Sequence, residues 1–291
     1  MNNENSELIE NLKKHVIKLS DEIGDRSVFK YEQLCEAEKY ITEELVSYGY
    51  TVTFQEYTIL NKQVKNIIVT RRGTKTPEDM IIVGAHYDST LNPGADDNAS
   101  GVAGLLELAR FMADKNTGST IEFAAFPAEE PPFFDSEDMA SLVYAKAAKK
   151  GKVNIKGVLI LEMIGYFDKK PRTQTYPNFA GALVYPNRGD FIAVLGNLKS
   201  INLVGAIRSC FKKQSRFPMK PIITFNYASA VHFSDHWAFW QEGYRAVMIT
   251  DTSFYRNHHY HTETDTYDTL DYESMAEIVR GLKGTLIELG K

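Results

Sequence analysis

The sequence predicts an α/β fold, a three-layer α/β/α sandwich with a mostly parallel central sheet and helices on both faces. Two observations carry this expectation. Short continuous apolar runs, as strands buried on both faces require, alternate with segments of helical apolar spacing. Three of those runs also end on acidic or histidine residues, and the carboxyl edge of such a sheet is where ligands bind.

Residues 8–19 carry apolar side chains at Leu8, Ile9, Leu12, Val16, Ile17 and Leu19, and residues 31–48 repeat the spacing with Leu34, Ala37, Ile41, Leu45 and Val46, so two N-terminal helices are expected. The period then drops to two around Val52, Phe54 and Glu56, and the β-branched run Ile67-Ile68-Val69-Thr70 completes an expected hairpin. Met80 to Ala85 is the first buried strand, ending at His86-Tyr87-Asp88. After a loop rich in Gly, Asp and Asn comes a helix over 101–112. A second strand over 121–126 runs into Glu129-Glu130, a third over 157–161 runs into Glu162, and a fourth is expected over 246–250. Helical patterns cover 191–211 and 272–289. With no internal repeat and no linker, residues 1–291 read as one domain with pocket-shaping insertions around 131–141 and 169–221.

Composition narrows the function classes. Of 291 residues, 43% are hydrophobic and 24% charged, with 19 Gly and 10 Pro, an ordinary globular balance that excludes disorder as the dominant state. Lys plus Arg at 33 against Asp plus Glu at 38 leave a net charge of -5, so the chain has no field for gathering nucleic acid or coating an acidic membrane. Cys35 and Cys210 are too few for a disulfide framework and suit a reducing compartment. The polar, acidic start lacks the basic flank and apolar stretch of a secretion signal, which favours a cytoplasmic location unless a leader has been removed. The longest uncharged run, residues 173–187, is broken by Pro177 and Pro186 and is shorter than the roughly 20 apolar residues that span a bilayer.

The chemistry gathers at the strand ends. In His86-Tyr87-Asp88 a histidine stands two residues from an acid that can accept from its second ring nitrogen, a recurrent metal-site arrangement that also arises by accident. Gly94-Ala95-Asp96-Asp97-Asn98-Ala99-Ser100-Gly101 reads equally as a helix-capping turn or as a loop whose carboxylate bridges two cations. Glu129 and Glu130 repel one another unless something positive lies between; if one binds a metal, its neighbour is free to move protons. Glu162 interrupts an apolar run, so it must be paired, protonated or metal-bound. His258, His259 and His261 form a His-rich tract that is either a solvated loop or a source of ligands, and mixed His and carboxylate ligation suits zinc.

Taken in this order and spacing, His86-x-Asp88, the 94–101 loop, Glu129-Glu130, Glu162-Met163-Ile164-Gly165 and His261-x-x-x-Asp265 resemble the two-zinc aminopeptidase group, which includes aminopeptidase Y, bacterial leucyl aminopeptidases, glutamate carboxypeptidase and the glutaminyl cyclases. The resemblance implies a zinc-exopeptidase-like fold and a peptide or small aminoacyl substrate. It implies two zinc ions per chain, one held by His86 and Glu162 and one by Glu130 and His261, with Asp96 bridging. It implies that Asp88 orients His86, that Glu129 is the general base activating a water between the metals, and that Tyr260 donates to the oxyanion. Ser234-Asp235-His236 matches a segment bordering the site. Two departures stand out: Glu162 where the group usually has Asp, and Pro131-Pro132-Phe133-Phe134 where a glycine-containing turn is usual. Two other readings keep the fold: a single-zinc glutaminyl cyclase using Asp96, Glu130 and His261, and a non-catalytic peptidase-like binding domain. Preference among N-terminal side chains and oligomeric state are not fixed by these residues.

Overall fold

A computed structural model of the chain describes residues 3–177, 179–224 and 233–291. Eight strands form one sheet in the order β1-β2-β4-β3-β5-β8-β6-β7. They are β1 (Thr53–Ile59), β2 (Lys62–Arg71), β3 (Thr76–His86), β4 (Ser119–Phe126), β5 (Asn154–Glu162), β6 (Ile192–Asn197), β7 (Met219–Thr224) and β8 (Ala246–Thr250). The centre, β4-β3-β5-β8, is parallel, as is β6 with β7, whereas β1, β2 and the β6·β8 pairing are antiparallel. The hairpin between β1 and β2 turns through Leu60 and Asn61, both at positive φ, the geometry of a two-residue turn that matches strand twist.

Helices cover both faces, as expected. α1 (Asn3–Ile17), α2 (Tyr31–Ser47), α3 (Gly101–Met112), α6 (Ile201–Gln214) and α8 (Tyr272–Leu289) pack on one face, and α4 (Ala140–Lys150) and α7 (His236–Gln241) on the other. Alternation within each strand divides the core: Ile81, Val83, Leu159 and Leu161 join the first cluster, while Ile82, Val158 and Ile160 join the second. This double burial is why the central strands read as unbroken apolar runs.

The structure corrects two expectations. The pattern over 191–211 is not one helix: Ile192–Asn197 is β6, and only after a single turn at Leu198–Ser200 does α6 begin. Isolated apolar residues satisfied a helical spacing there, but the consecutive residues Ile192, Ala193, Val194 and Leu195 are all buried, which a strand covered on both sides achieves and one helix face does not. For the same reason the stretch 169–221 is not an insertion throughout. Its first part is loop with the short α5 (Phe179–Val184), and the rest supplies β6 and the start of β7 to the sheet and α6 to the helices on one face. Among the described residues, no helix is long and apolar enough to cross a membrane.

Candidate metal centre

The carboxyl ends of β3, β4 and β5 lie side by side and deliver His86, the Glu129-Glu130 pair and Glu162 to one edge. Asp97 arrives from the loop before α3, and His261 from the loop after β8. His86 Nε2 lies 3.2 Å from Asp97 Oδ1 and 3.4 Å from Glu162 Oε2. On the other side of the same carboxylate, His261 Nε2 lies 3.2 Å from Asp97 Oδ2 and 3.2 Å from Glu130 Oε2. Asp97 thus shares its two oxygens between two groups, His86-Asp97-Glu162 and Asp97-Glu130-His261, each with donor atoms within 4.8 Å of one another.

This corrects the choice of Asp96 as the shared carboxylate. Asp96 is fully buried but faces away, accepting from Gly165 N at 2.9 Å and Asn257 Nδ2 at 2.7 Å. Asp265 sets the orientation: its carboxylate takes the N–H of Asp96 and of Asp97 at 2.9 and 3.1 Å, and its backbone oxygen takes that of Ala95 at 3.2 Å. Asn98 anchors the next residue, donating to Leu161 O and accepting from Gly101 N and Met163 N. A Cβ on Gly101 would stand 2.2 Å from Asn98 Oδ1, so this close approach requires glycine.

The other sequence candidates fall around these groups. Asp88 Oδ1 lies 3.3 Å from His86 Nδ1, and the two Asp88 oxygens accept from Glu129 N and Glu130 N at 3.1 Å each. One carboxylate therefore positions the imidazole and the following strand end together. Glu129 belongs to neither donor group, and its carboxylate lies 3.9 Å from His86 Nε2. Tyr260 stacks on His261 with ring centroids 3.8 Å apart and lines the same cavity. His258 and His259 stay outside both groups, packed beside Tyr166. In the Pro131-Pro132-Phe133-Phe134 stretch, Phe134 lines that cavity together with Phe254 and Tyr255, whereas Phe133 belongs to the core.

Three contributors had no role assigned from the sequence, although Ser234 was placed in a segment bordering the site. Ser234 Oγ donates to Glu162 Oε2 at 2.7 Å, which fixes the longer side chain standing where the group usually has Asp. Asn257 holds Asp96. Arg26, fully buried and without an ion pair among the described residues, donates its guanidinium to backbone: Tyr87 O at 2.9 Å, Pro93 O at 2.6 Å, Gly94 O at 2.8 Å, and Leu19 O and Gly24 O at 3.2 Å. It ties the segment after α1 to the loop that runs from His86 to Asp97. A lone arginine in an N-terminal turn carries no spacing signal that would have found it.

Electrostatics show what the centre lacks as a bare peptide. Burial pushes Glu129 well above the usual carboxylate range, helped by Glu162 and Glu130, and raises Glu130 to about 8, with Asp97 adding to it. Burial also raises Asp97, but His261 and His86 outweigh it and hold the carboxyl below its usual range. Burial opposes both imidazoliums; Glu162 and Glu129 outweigh it at His86, and Asp97 and Glu130 raise His261 to about 10. In the bare chain, protons on two histidines thus neutralise converging carboxylates. Meanwhile Glu130 Oε1 and His261 Nε2 are buried without a hydrogen-bond partner, although carboxylate oxygens lie close to the imidazole. Mixed imidazole and carboxylate donors aimed at two common points fit two zinc-like cations, which would take over the neutralising role of those protons.

Residues 66–285 match Peptidase family M28. The chain belongs to this family of zinc-dependent peptidases, whose substrates are peptides. It is 41% identical over 282 residues to the Escherichia coli protein YfbL, a match covering 94% of this chain and 86% of that one. A probable leucine aminopeptidase 1 of Trichophyton verrucosum is 28% identical over 241 residues, covering 78% of this chain, and the chain spans only 58% of that fungal relative. In fold the chain is similar to a zinc aminopeptidase from Bacillus subtilis, with a TM-score of 0.78 at 15% identity over 97% of this chain and 95% of that one. It is also similar to a glutaminyl cyclase from Fimbriiglobus ruber, with a TM-score of 0.70 at 19% identity over 97% and 95%.

Proposed function

We propose that the protein is an aminopeptidase with two zinc ions per chain, hydrolysing the N-terminal peptide bond of a peptide or small aminoacyl substrate. The observation that carries this reading is the position of Asp97, whose two oxygens each lie 3.2 Å from a different imidazole. His86 and Glu162 would complete one zinc site, and Glu130 and His261 the other. Zinc, when bound, supplies Lewis acidity that polarises the scissile carbonyl and makes a nearby water easier to deprotonate.

The side chains supply the rest. Glu129, outside both donor groups and pushed by burial above the usual carboxylate range, takes the proton from the attacking water and hands it to the leaving amine. Asp88 holds the backbone of Glu129 and Glu130 so that one carboxylate serves as ligand and the other stays free. Burial keeps the Tyr260 phenol protonated, so its hydroxyl is available as a donor to the developing oxyanion. The free α-ammonium of the substrate is attracted to the same carboxylates, which favours cleavage at the chain end.

A cyclase needs only one cation, and the Asp97-Glu130-His261 group would hold it. The separate His86-Asp97-Glu162 group favours two. Every acid and imidazole needed for turnover is present, which disfavours a binding-only domain. Zinc-loaded protein should release N-terminal amino acids from peptides, and Glu129→Gln should keep its zinc while losing turnover. Ammonia release from N-terminal glutamine without peptide hydrolysis would establish the cyclase reading instead, and an active Glu129→Gln variant would remove Glu129 from its role.

A further inference from the structure

A cavity of about 780 Å³ opens beside the carboxylate cluster. Part of its wall comes from two segments outside the strands, residues 174–176 of the loop before β6 and residues 252–255 of the loop after β8. They lie against each other, with Thr175 N and Thr175 Oγ1 both donating to Tyr255 O, at 2.8 and 2.7 Å. Within this wall Thr252 and Ser253 have φ of 88° and 52°. Neither is glycine, and a β-branched residue seldom adopts this left-handed conformation. Such backbone persists only where its surroundings hold it, and it gathers at functional sites.

What holds it is the side chain of Gln174, which is only 6% exposed. Its Nε2 donates to Thr252 Oγ1 at 2.8 Å, and its Oε1 accepts from Arg256 Nε at 2.8 Å. Arg256 is fixed in turn, with Nη1 on Tyr166 O at 3.3 Å and the guanidinium 4.7 Å from the centroid of the Phe191 ring. One amide group therefore grips the left-handed turn at both ends, while Asp251 accepts from Ser253 N between them at 2.9 Å. Past Arg256 the chain is anchored by other contacts. Asn257 donates to Asp96, His261 lies beside Asp97 and Glu130, and Tyr260 stacks on His261. The grip of Gln174 thus governs residues 252–255 and leaves the metal donors to their own supports.

We propose, building on the aminopeptidase reading, that Gln174 is a positioning residue that sets substrate affinity by clamping residues 252–255 into the wall of the cavity. It acts through that wall and not on the reacting bond. Releasing the clamp removes contacts that ground state and transition state share, so KM rises while kcat and the zinc ions stay.

The test measures leucine release from Leu-Leu-Leu by zinc-loaded wild type, Gln174→Leu, Thr252→Val and the double variant. Gln174→Leu should raise KM on the order of tenfold, with kcat within about twofold and zinc content unchanged. An unchanged KM, or a fall in kcat alone, overturns the proposal. Thr252→Val breaks one arm of the same clamp, so the double variant should be no worse than Gln174→Leu; additive losses count against a shared clamp. Thr252→Ser keeps the hydroxyl and should recover most of what Thr252→Val loses. Hydrogen exchange followed by mass spectrometry provides a readout without turnover. In Gln174→Leu the amides of residues 252–257 should exchange faster while those of β5 and β8 do not change. Unchanged exchange in 252–257, or acceleration throughout the chain, overturns the proposal. If the wild type hydrolyses no peptide, the aminopeptidase reading fails alone, and the exchange pattern still decides whether Gln174 holds the wall.

Discussion

Replacing Arg26 removes the brace between the N-terminal segment and the loop that joins His86 to Asp97. Five backbone oxygens accept from its guanidinium. Two of them, Leu19 O and Gly94 O, also accept from Gly24 N and Ala99 N, so the carbonyls of Tyr87, Pro93 and Gly24 lose most. A buried acceptor left without a donor costs about 1–3 kcal/mol. Three such losses, less the cost of burying a guanidinium that burial has pushed down to about 10, leave Arg26→Met destabilised by roughly 3–5 kcal/mol. That is a large share of the roughly 5–15 kcal/mol typical of folded domains. Arg26→Lys, with three donors on one nitrogen, should lose about 2 kcal/mol. Urea titration of metal-free and zinc-loaded protein measures both, with the midpoint falling at constant slope. Zinc retention should fall in parallel, because the braced loop carries a ligand at each end. A loss below about 1 kcal/mol in Arg26→Met would refute the reasoning.

Glu129→Gln should lower kcat by roughly 10²- to 10⁴-fold with zinc content unchanged, since Gln keeps the shape and cannot move a proton. Ser234→Ala removes the donor that holds Glu162 Oε2 and should weaken zinc binding roughly 10- to 100-fold in a competition titration against a chelator. Metal-free His261, with its pKa raised to about 10, is protonated at neutral pH, so zinc uptake must expel that proton. Affinity should therefore rise with pH, and calorimetry in two buffers of different ionisation enthalpy should register proton release; identical heats would contradict this. In the metal-free protein the same raised pKa gives stability that is full below about pH 6.5 and fades as the pH rises through about 10.

The central strands were legible because burial on both faces leaves an unmistakable apolar run, and the chemistry at their ends because acids in such places need a reason. β6 was less so: Ile192, Val194 and Leu195 continue into a true helix with only one turn between, and the combined run imitates a longer helical period. Asp96 and Asp97 are chemically identical neighbours on an irregular loop, and no periodicity tells which one turns inward. What decides is contact with distant residues: Asp265 binding both N–H groups, and Gly165 and Asn257 occupying the Asp96 carboxylate. Ser234 was placed beside the site without a role, and Arg26 escaped altogether, because the contacts that define them, to Glu162 and to the carbonyls of Tyr87, Pro93 and Gly94, lie about 60 or more residues away along the chain.

The central claim is a pair of cation sites joined by Asp97. Zinc per chain, measured by elemental analysis after chelator-free purification and dialysis against zinc, tests it most directly in the wild type, Asp97→Ala and Asp96→Ala. The account predicts two zinc ions in the wild type, loss of both in Asp97→Ala, and two retained in whatever Asp96→Ala protein remains folded. One zinc in the wild type, or two in Asp97→Ala, would contradict it.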